Sequence, residues 1–349
     1  MRVWLNMGCI CCGILCRIRP LTLQKKPARS KKTYHCFKNT REVCAGTTNK
    51  LCKLFMNSYT LTCMGGGEMG ACLANVFKHS GHSVYVWDID PAKRSTEKNV
   101  KKIVSESAAV FITTPSWTVA TVLRDIRDHM RPNGYVICLS KGMTDDGKTM
   151  YHMMNEMLRN PHGILAGPMI AEEINAGKSA YGVIAGNDDV CRFAFDVFEK
   201  SAIRMESEHD MESVAYASVL KNIYAIIAGM IEGWELGDNA RGYVMAKILN
   251  EWDALSDAIG INKKVLCGTA GEGDFIATSI SNYSRNRMMG ELFAKNSVVT
   301  QQSEGIRSLT GMVRLLKERN IPTPRILAAL YNVFVHQQSP SELRGALNV

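Results

Sequence analysis

The chain has 349 residues, 46% hydrophobic and 21% charged, with a formal net charge of +9; that length suits two domains of about 100 to 200 residues each. Ordinary apolar content without an uncharged run of the roughly 18 to 20 residues that span a bilayer reads as a soluble protein with no membrane span. The positive charge is no nucleic-acid signal: residues 1–60 carry 12 of the 42 basic and one of the 33 acidic side chains, so the other 30 basic and 32 acidic residues nearly cancel.

The N-terminal stretch is set apart in composition. It holds seven of the twelve cysteines, Cys9, Cys11, Cys12, Cys16, Cys36, Cys44 and Cys52, and has neither a helical nor a strand period. Val3 to Cys16 resembles a signal h-region, but no small-residue cleavage site follows and Arg17 and Arg19 come at once. A basic, acid-poor start also fits an organellar transit peptide. The preferred reading is a disordered or non-native extension over residues 1–57, dispensable, with a start at Met56. No CxxC or histidine pair supplies a metal site, and none is expected. The later cysteines, Cys63, Cys72, Cys138, Cys191 and Cys267, are isolated in apolar surroundings and read as free thiols of a cytoplasmic protein.

Ser58 to Met64 is a strand candidate that runs into Gly65-Gly66-Gly67-Glu68-Met69-Gly70, a match to GxGxxG. A helical apolar pattern follows to Gly81, then a second strand, Ser83 to Trp87, ended by Asp88. Strand, glycine loop, helix, strand and terminal acid form the context that makes this motif a dinucleotide site. Gly65 permits the tight turn, Gly67 lets a pyrophosphate approach the backbone, and Gly70 lets helix pack on strand, with phosphate at the helix N-terminus. A strand over 108–113, a helix over 119–130 and a strand over 135–139 continue a doubly wound sheet. Pro115 and Ser140-Lys141-Gly142 then stand at strand ends, lining the crevice where such sheets bind ligands.

From Ser213 to Ile231 nineteen residues of helical composition carry one charge, Lys221. A helix apolar all round is a core helix, and a lysine in it is either desolvated for proton transfer or snorkelling to solvent. Asp274, in the glycine-rich stretch Gly268 to Thr278, is a candidate partner. Ser284 reads as the N-cap of a helix through Phe293, and Arg285 beside it makes an anion site.

The segments GGGEMGACLA (65–74), SKG (140–142), GPMIAEE (167–173), VLKNIYAIIAG (219–229), GEGDFIAT (271–278), SNYSRN (281–286) and SEG (303–305) occur in an order that resembles the NAD(P)-dependent glycerol-3-phosphate dehydrogenases. The resemblance covers about residues 58–349. It implies an α/β fold with an N-terminal Rossmann-type doubly wound domain of 58–209 and a C-terminal all-helical domain of 210–349, the active site lying between them. It implies reversible reduction of dihydroxyacetone phosphate to sn-glycerol 3-phosphate, feeding glycerophospholipid synthesis. Lys221 matches the family's catalytic lysine, oriented with the substrate by Asp274 and Asn222. Lys141 matches a lysine touching cofactor and substrate. Gly167, Thr278, Ser284, Arg285 and Asn286 match the substrate side, while Glu68, Met69, Pro115, Ala171, Arg285 and Glu304 join the glycines and Asp88 at the cofactor.

The chain departs from the family between Trp87 and Pro115, where a strand and loop are missing and the cofactor mouth is expected to be more open. Met169, Ile170 and Glu272 also depart. Asp88, with no arginine until Arg94, predicts NADH over NADPH, against which Lys93 and Arg94 count. The long apolar helices suit a homodimer. Alternatives are a 3-hydroxyacid or ketopantoate-type dehydrogenase and a non-catalytic nucleotide sensor, both separable from the first reading by NADH oxidation with dihydroxyacetone phosphate.

Overall fold

A computed structural model describes residues 57–95, 99–295 and 303–349; apart from Asn57, the expectations for the N-terminal extension and a start at Met56 lie outside them. Asn57–Val349 forms one compact unit.

Seven strands form one sheet: β1 (Thr60–Met64), β2 (Ser83–Trp87), β3 (Ala109–Ile112), β4 (Tyr135–Cys138), β5 (His162–Ala166), β6 (Ala180–Ala185) and β7 (Ile203–Glu208). Their order is β2-β1-β3-β4-β5-β6-β7, parallel throughout except between β5 and β6. Side-chain parity sets the layers. Leu61 and Cys63 of β1, Ala109 and Phe111 of β3 and Ile137 of β4 face one side, and Met64, Val110, Ile112, Val136 and Cys138 face the other. Strands buried on both faces read as continuous apolar runs, which is why β3 and β4 were legible. The first face is covered by α1 (Glu68–His79), α5 (Ala171–Asn175) and α6 (Asp188–Phe198), the second by α2 (Val100–Glu106), α3 (Val119–Ile126) and α4 (Met150–Met157). This is the Rossmann-type doubly wound arrangement.

Among the described residues, the chain between Trp87 and Pro115 makes a single-turn helix at Pro91–Lys93, then α2 and β3. β2 stands at the sheet edge. The chain reverses across β1, with β2 on one side and β3 on the other, which places a ligand crevice at the C-terminal ends of these strands. Sequence reading did not anticipate β5, β6, β7 or the antiparallel step. The helix expected over 119–130 ends at Ile126.

The sheet ends at Glu208 and the rest is helical: α7 (Met211–Gly233), α8 (Gly237–Ile259), α9 (Lys263–Leu266), α10 (Asp274–Ile280), α11 (Arg285–Ala294), α12 (Glu304–Glu318), α13 (Arg325–Phe334) and α14 (Pro340–Leu347). Every residue of α7 from Ser213 to Ile231 is buried. Among the described residues it is the one helix long and apolar enough to cross a membrane by composition, and its apolar window is wholly buried. Its neighbours include Ile248 and Trp252 of α8, Leu309 and Met312 of α12, and Leu327 and Leu330 of α13.

Glycines bring α11 against α7. A Cβ at Gly229 would stand 1.7 Å from the Arg287 carbonyl oxygen, and one at Gly290 would stand 1.8 Å from that of Ile226. Backbone thus touches backbone, and this contact fixes the N-terminus of α11, with Arg285 and Asn286, beside Lys221 and Asn222.

Candidate active site

Three charged side chains meet where the sheet abuts α7 and α10. Lys221 Nζ lies 3.3 Å from Asp274 Oδ1 and donates to Thr278 Oγ1 at 2.9 Å. Lys141 Nζ, from the end of β4, donates to Asp274 Oδ2 at 2.7 Å and to the Gly167 carbonyl at 3.2 Å. Lys221 and Asp274 are only 7% and 3% exposed, so neither snorkels to solvent. Burial pushes the Lys221 ammonium down to about 8, against the pull of Asp274. Burial also pushes the Asp274 carboxyl up, but Lys141 and Lys221 outweigh it and hold the group below its ordinary value. The cluster of two ammoniums and one carboxylate is net positive, suited to an anion.

Amides extend the cluster. Asn222 Nδ2 donates to the Lys141 carbonyl at 2.9 Å, Asn286 Nδ2 donates to Asn222 Oδ1 at 2.8 Å, and the Gly305 amide donates to Asn286 Oδ1 at 3.0 Å. One chain of bonds thus joins the end of β4 to α7, α11 and α12. Buried and satisfied, such a network holds its members in one geometry.

A cavity of about 570 Å3 runs from Asp88 past Gly65, Gly67 and Pro115 to Lys141 and Glu304. Gly65 sits at φ +110°, and a Cβ there would lie 2.9 Å from the Thr114 nitrogen; only glycine makes this turn at no cost. A Cβ at Gly70 would stand 1.8 Å from the Gly65 carbonyl, whereas one at Gly67 would meet nothing within 4 Å. Gly67 therefore opens on the cavity, at the head of a twelve-residue helix whose amides face it. These residues fit a dinucleotide pyrophosphate. Asp88 accepts from the Gly66 amide at 2.6 Å and from the Asp90 amide at 2.8 Å. Arg94 donates to the Asp88 and Ile89 carbonyls and lies 5.2 Å from the centre of the Trp87 ring.

A second cavity of about 210 Å3 adjoins the first, and Glu68, Met69, Lys141, Asn222, Arg285 and Asn286 line both. Lys221, Asp274, Ala171, Thr278 and Ser284 line the smaller one alone, as do Met169 and Ile170. Ser284 caps α11 by accepting from the Arg287 amide at 3.2 Å. Arg285, two-thirds exposed, donates to Glu68 Oε2 at 2.7 Å, an ion pair across the boundary of the two cavities.

Of the residues expected at the site, all but Gly70 and Gly167 line the two adjoining cavities; Gly167 offers its carbonyl to Lys141, and Gly70 packs against the Gly65 carbonyl. Three features escaped sequence reading. Lys141 shares Asp274 with Lys221; Ser116 binds Glu304 with its amide, at 2.8 Å, and its hydroxyl; and Trp117 joins the crevice wall, where Lys93, weighed from the sequence as counting against an NADH preference, also stands. Ser116 and Trp117 follow Pro115 directly, and that was the available signal. Cys267 also departs from the reading, being exposed where the other four described cysteines are buried.

Residues 91–191 match the N-terminal model of the NAD-dependent glycerol-3-phosphate dehydrogenase family and residues 210–344 its C-terminal model. A Sphingopyxis alaskensis protein named glycerol-3-phosphate dehydrogenase (NAD(P)+) 2 is 32% identical over 293 residues, 75% of this chain and 88% of that one. A Serratia marcescens protein named glycerol-3-phosphate dehydrogenase (NAD(P)+) is 28% identical, over 74% of this chain and 84% of its own. The crystal structure of glycerol-3-phosphate dehydrogenase from Coxiella burnetii superposes with a TM-score of 0.75 at 21% identity, covering 83% of this chain and 98% of that one. The Plasmodium falciparum glycerol-3-phosphate dehydrogenase gives 0.73 at 17% identity, covering 85% and 97%; these two likenesses establish the fold. With both halves matched, the chain belongs to the NAD-dependent glycerol-3-phosphate dehydrogenase family.

Proposed function

We propose that the chain reduces dihydroxyacetone phosphate to sn-glycerol 3-phosphate, reversibly, in a crevice between a dinucleotide-binding domain of 58–209 and a helical domain of 210–349. The observation that carries this reading is the Lys141–Asp274–Lys221 cluster, with Asp274 and Lys221 buried, beside an arginine at a helix N-terminus, with the glycine loop next to it. When bound, the nicotinamide cofactor supplies the hydride that reaches the central carbon. Lys221 gives its Nζ proton to the ketone oxygen as that carbon is reduced, and takes a proton back from the hydroxyl in the reverse direction. Asp274 balances two ammoniums that would otherwise repel, and Lys141 adds charge where the oxygen becomes anionic. Asn222 and Asn286 hold the ends of the lysine-bearing elements in register. A panel of ketone phosphates and keto acids with NADH tests the reading: rapid NADH oxidation with dihydroxyacetone phosphate supports it, and preference for a keto acid overturns it. Four buried, unpaired cysteines, Cys63, Cys72, Cys138 and Cys191, fit a reducing cytoplasmic setting.

Arg285 is assigned to the substrate phosphate, because it heads α11 where amides and helix dipole already favour an anion. Arg285→Lys keeps the charge and loses the planar fork. It is expected to raise the KM for dihydroxyacetone phosphate about tenfold or more, with a much smaller change in NADH affinity. Steady-state kinetics checks this, and an unchanged KM and kcat would remove Arg285 from the phosphate site.

NADH is assigned as the preferred cofactor. An acid at the end of β2 accepts from ribose hydroxyls and repels a 2′-phosphate. Of the cations that would welcome that phosphate, Arg94 is engaged on backbone carbonyls and the Trp87 face, whereas Lys93 lines the same cavity as Asp88 and is held only by an exposed pair with Asp90 at 3.5 Å, so the preference rests on Asp88. The expected kcat/KM ratio favours NADH by about tenfold, and Asp88→Ala narrows it. Equal or better use of NADPH by the unaltered enzyme refutes the argument.

A further inference from the structure

We propose that Ser116 and Glu304 form a clasp that positions the nicotinamide half of the cofactor, an inference that rests on reading the larger cavity as the NAD(H) site. Glu304 opens α12 in the helical region, and Ser116 lies 188 residues earlier, just past β3. One Glu304 carboxylate oxygen accepts from the Ser116 amide at 2.8 Å and the other from its hydroxyl. The amide stands at the start of the helical turn leading into α3, one of the orphan donors that any helix start must satisfy. Here its acceptor comes from another part of the fold. One helical turn beyond Glu304, Arg307 lies 4.6 Å from the centre of the Trp117 ring, a second grip by α12 on the same loop.

The clasp is built into the catalytic end of the crevice. A Cβ at Gly142 would stand 2.3 Å from Ser116 Oγ and 2.5 Å from Glu304 Oε2, so the glycine that follows Lys141 leaves the room the clasp occupies. Pro115, Trp117 and Glu304 themselves line the cavity, and the charge of Glu304 is felt at Lys221. Burial pushes the Glu304 carboxyl up while its hydrogen bonds from Ser116 oppose this, as expected of a carboxylate that serves the loop in place of water. Ser116 is a positioning residue on this account. It acts through the loop it holds, and both oxygens of Glu304 are committed to it.

The test separates the two ends of the cofactor. Dissociation constants for NADH and for ADP-ribose, which lacks the nicotinamide, are measured by titration on the full chain, on Ser116→Ala, on Glu304→Gln and on the double variant. Each single change is expected to weaken NADH about tenfold, as for loss of a hydrogen bond to a charged group, while leaving ADP-ribose within about twofold. The double variant is expected to be no worse than the weaker single, because the two residues act as one unit. Should Ser116→Ala fail to fold, Ser116→Cys carries the same comparison, because Ser116 does not itself line the cavity whereas Glu304 does. Unchanged NADH binding, equal weakening of ADP-ribose, or fully additive effects would overturn the clasp. An unaltered chain that binds neither ligand would overturn the cofactor reading itself, and the clasp with it.

Discussion

Lys221→Met is expected to lower turnover by about 10² to 10⁴ while the protein still folds and binds NADH, the range general acid–base groups usually contribute. Lys221 is 7% exposed and packed within a helix buried at every position from Ser213 to Ile231. Methionine matches its stem in volume and needs no counter-charge, so the helix keeps its packing. What disappears is the proton at Nζ. Circular dichroism and NADH titration separate a folded, inactive enzyme from a damaged one, and near-normal turnover in the variant would remove Lys221 from the mechanism.

The same residue sets the pH dependence. Ketone reduction needs the protonated lysine, so with Lys221 held at about 8 the rate is expected to be full below that pH and to fall above it. Oxidation needs the unprotonated amine and is expected to rise through the same value. Opposite limbs centred on one pH identify a single group acting in both directions. Burial is the dominant cause, so a polar substitution admitting water beside Lys221 would move both limbs towards the ordinary lysine range.

What the sequence made legible was chemistry concentrated in short segments. The glycine loop lies within six residues, with a strand before it and a helix and strand after it, so its turn and its helix start could be read locally. Lys221 stood out because one charge in nineteen apolar residues has few explanations. Pairings across long separations were not legible. Lys141 and Asp274 are 133 residues apart, and Ser116 and Glu304 lie still further from each other. No local pattern records that one carboxylate serves two lysines, or that a helix start borrows its acceptor from another helix. β7 escaped for a different reason: IRMESE is an edge strand with three exposed side chains, so its pattern is too polar to read as core. The antiparallel step from β5 to β6 depends on Gly167, at φ +104°, where a Cβ would lie 2.5 Å from the Tyr181 carbonyl. That close approach appears only once the chain has folded.

Asp274→Asn is expected to cost about 10² in kcat at neutral pH, no more than removal of the acid–base group itself, because Lys221 remains. It tests the cluster as a unit. Asp274 is 3% exposed between two ammoniums, 2.7 Å from Lys141 and 3.3 Å from Lys221. Asparagine keeps the shape and deletes the charge. The attraction that raises the Lys221 pKa is then lost while burial and Lys141 still lower it, so the titration moves below about 8. The reductive limb should therefore shift to lower pH. Stranding a buried charge generally costs about 3 to 5 kcal/mol, but Lys221 has an escape, because it can release its proton. The variant should accordingly be most destabilised at low pH, where Lys221 is forced to stay charged, and should approach the unaltered protein as pH rises. Thermal midpoints across a pH series measure this. A stability difference that does not change with pH, or a reductive limb that stays in place, would show that Asp274 does not set the charge on Lys221.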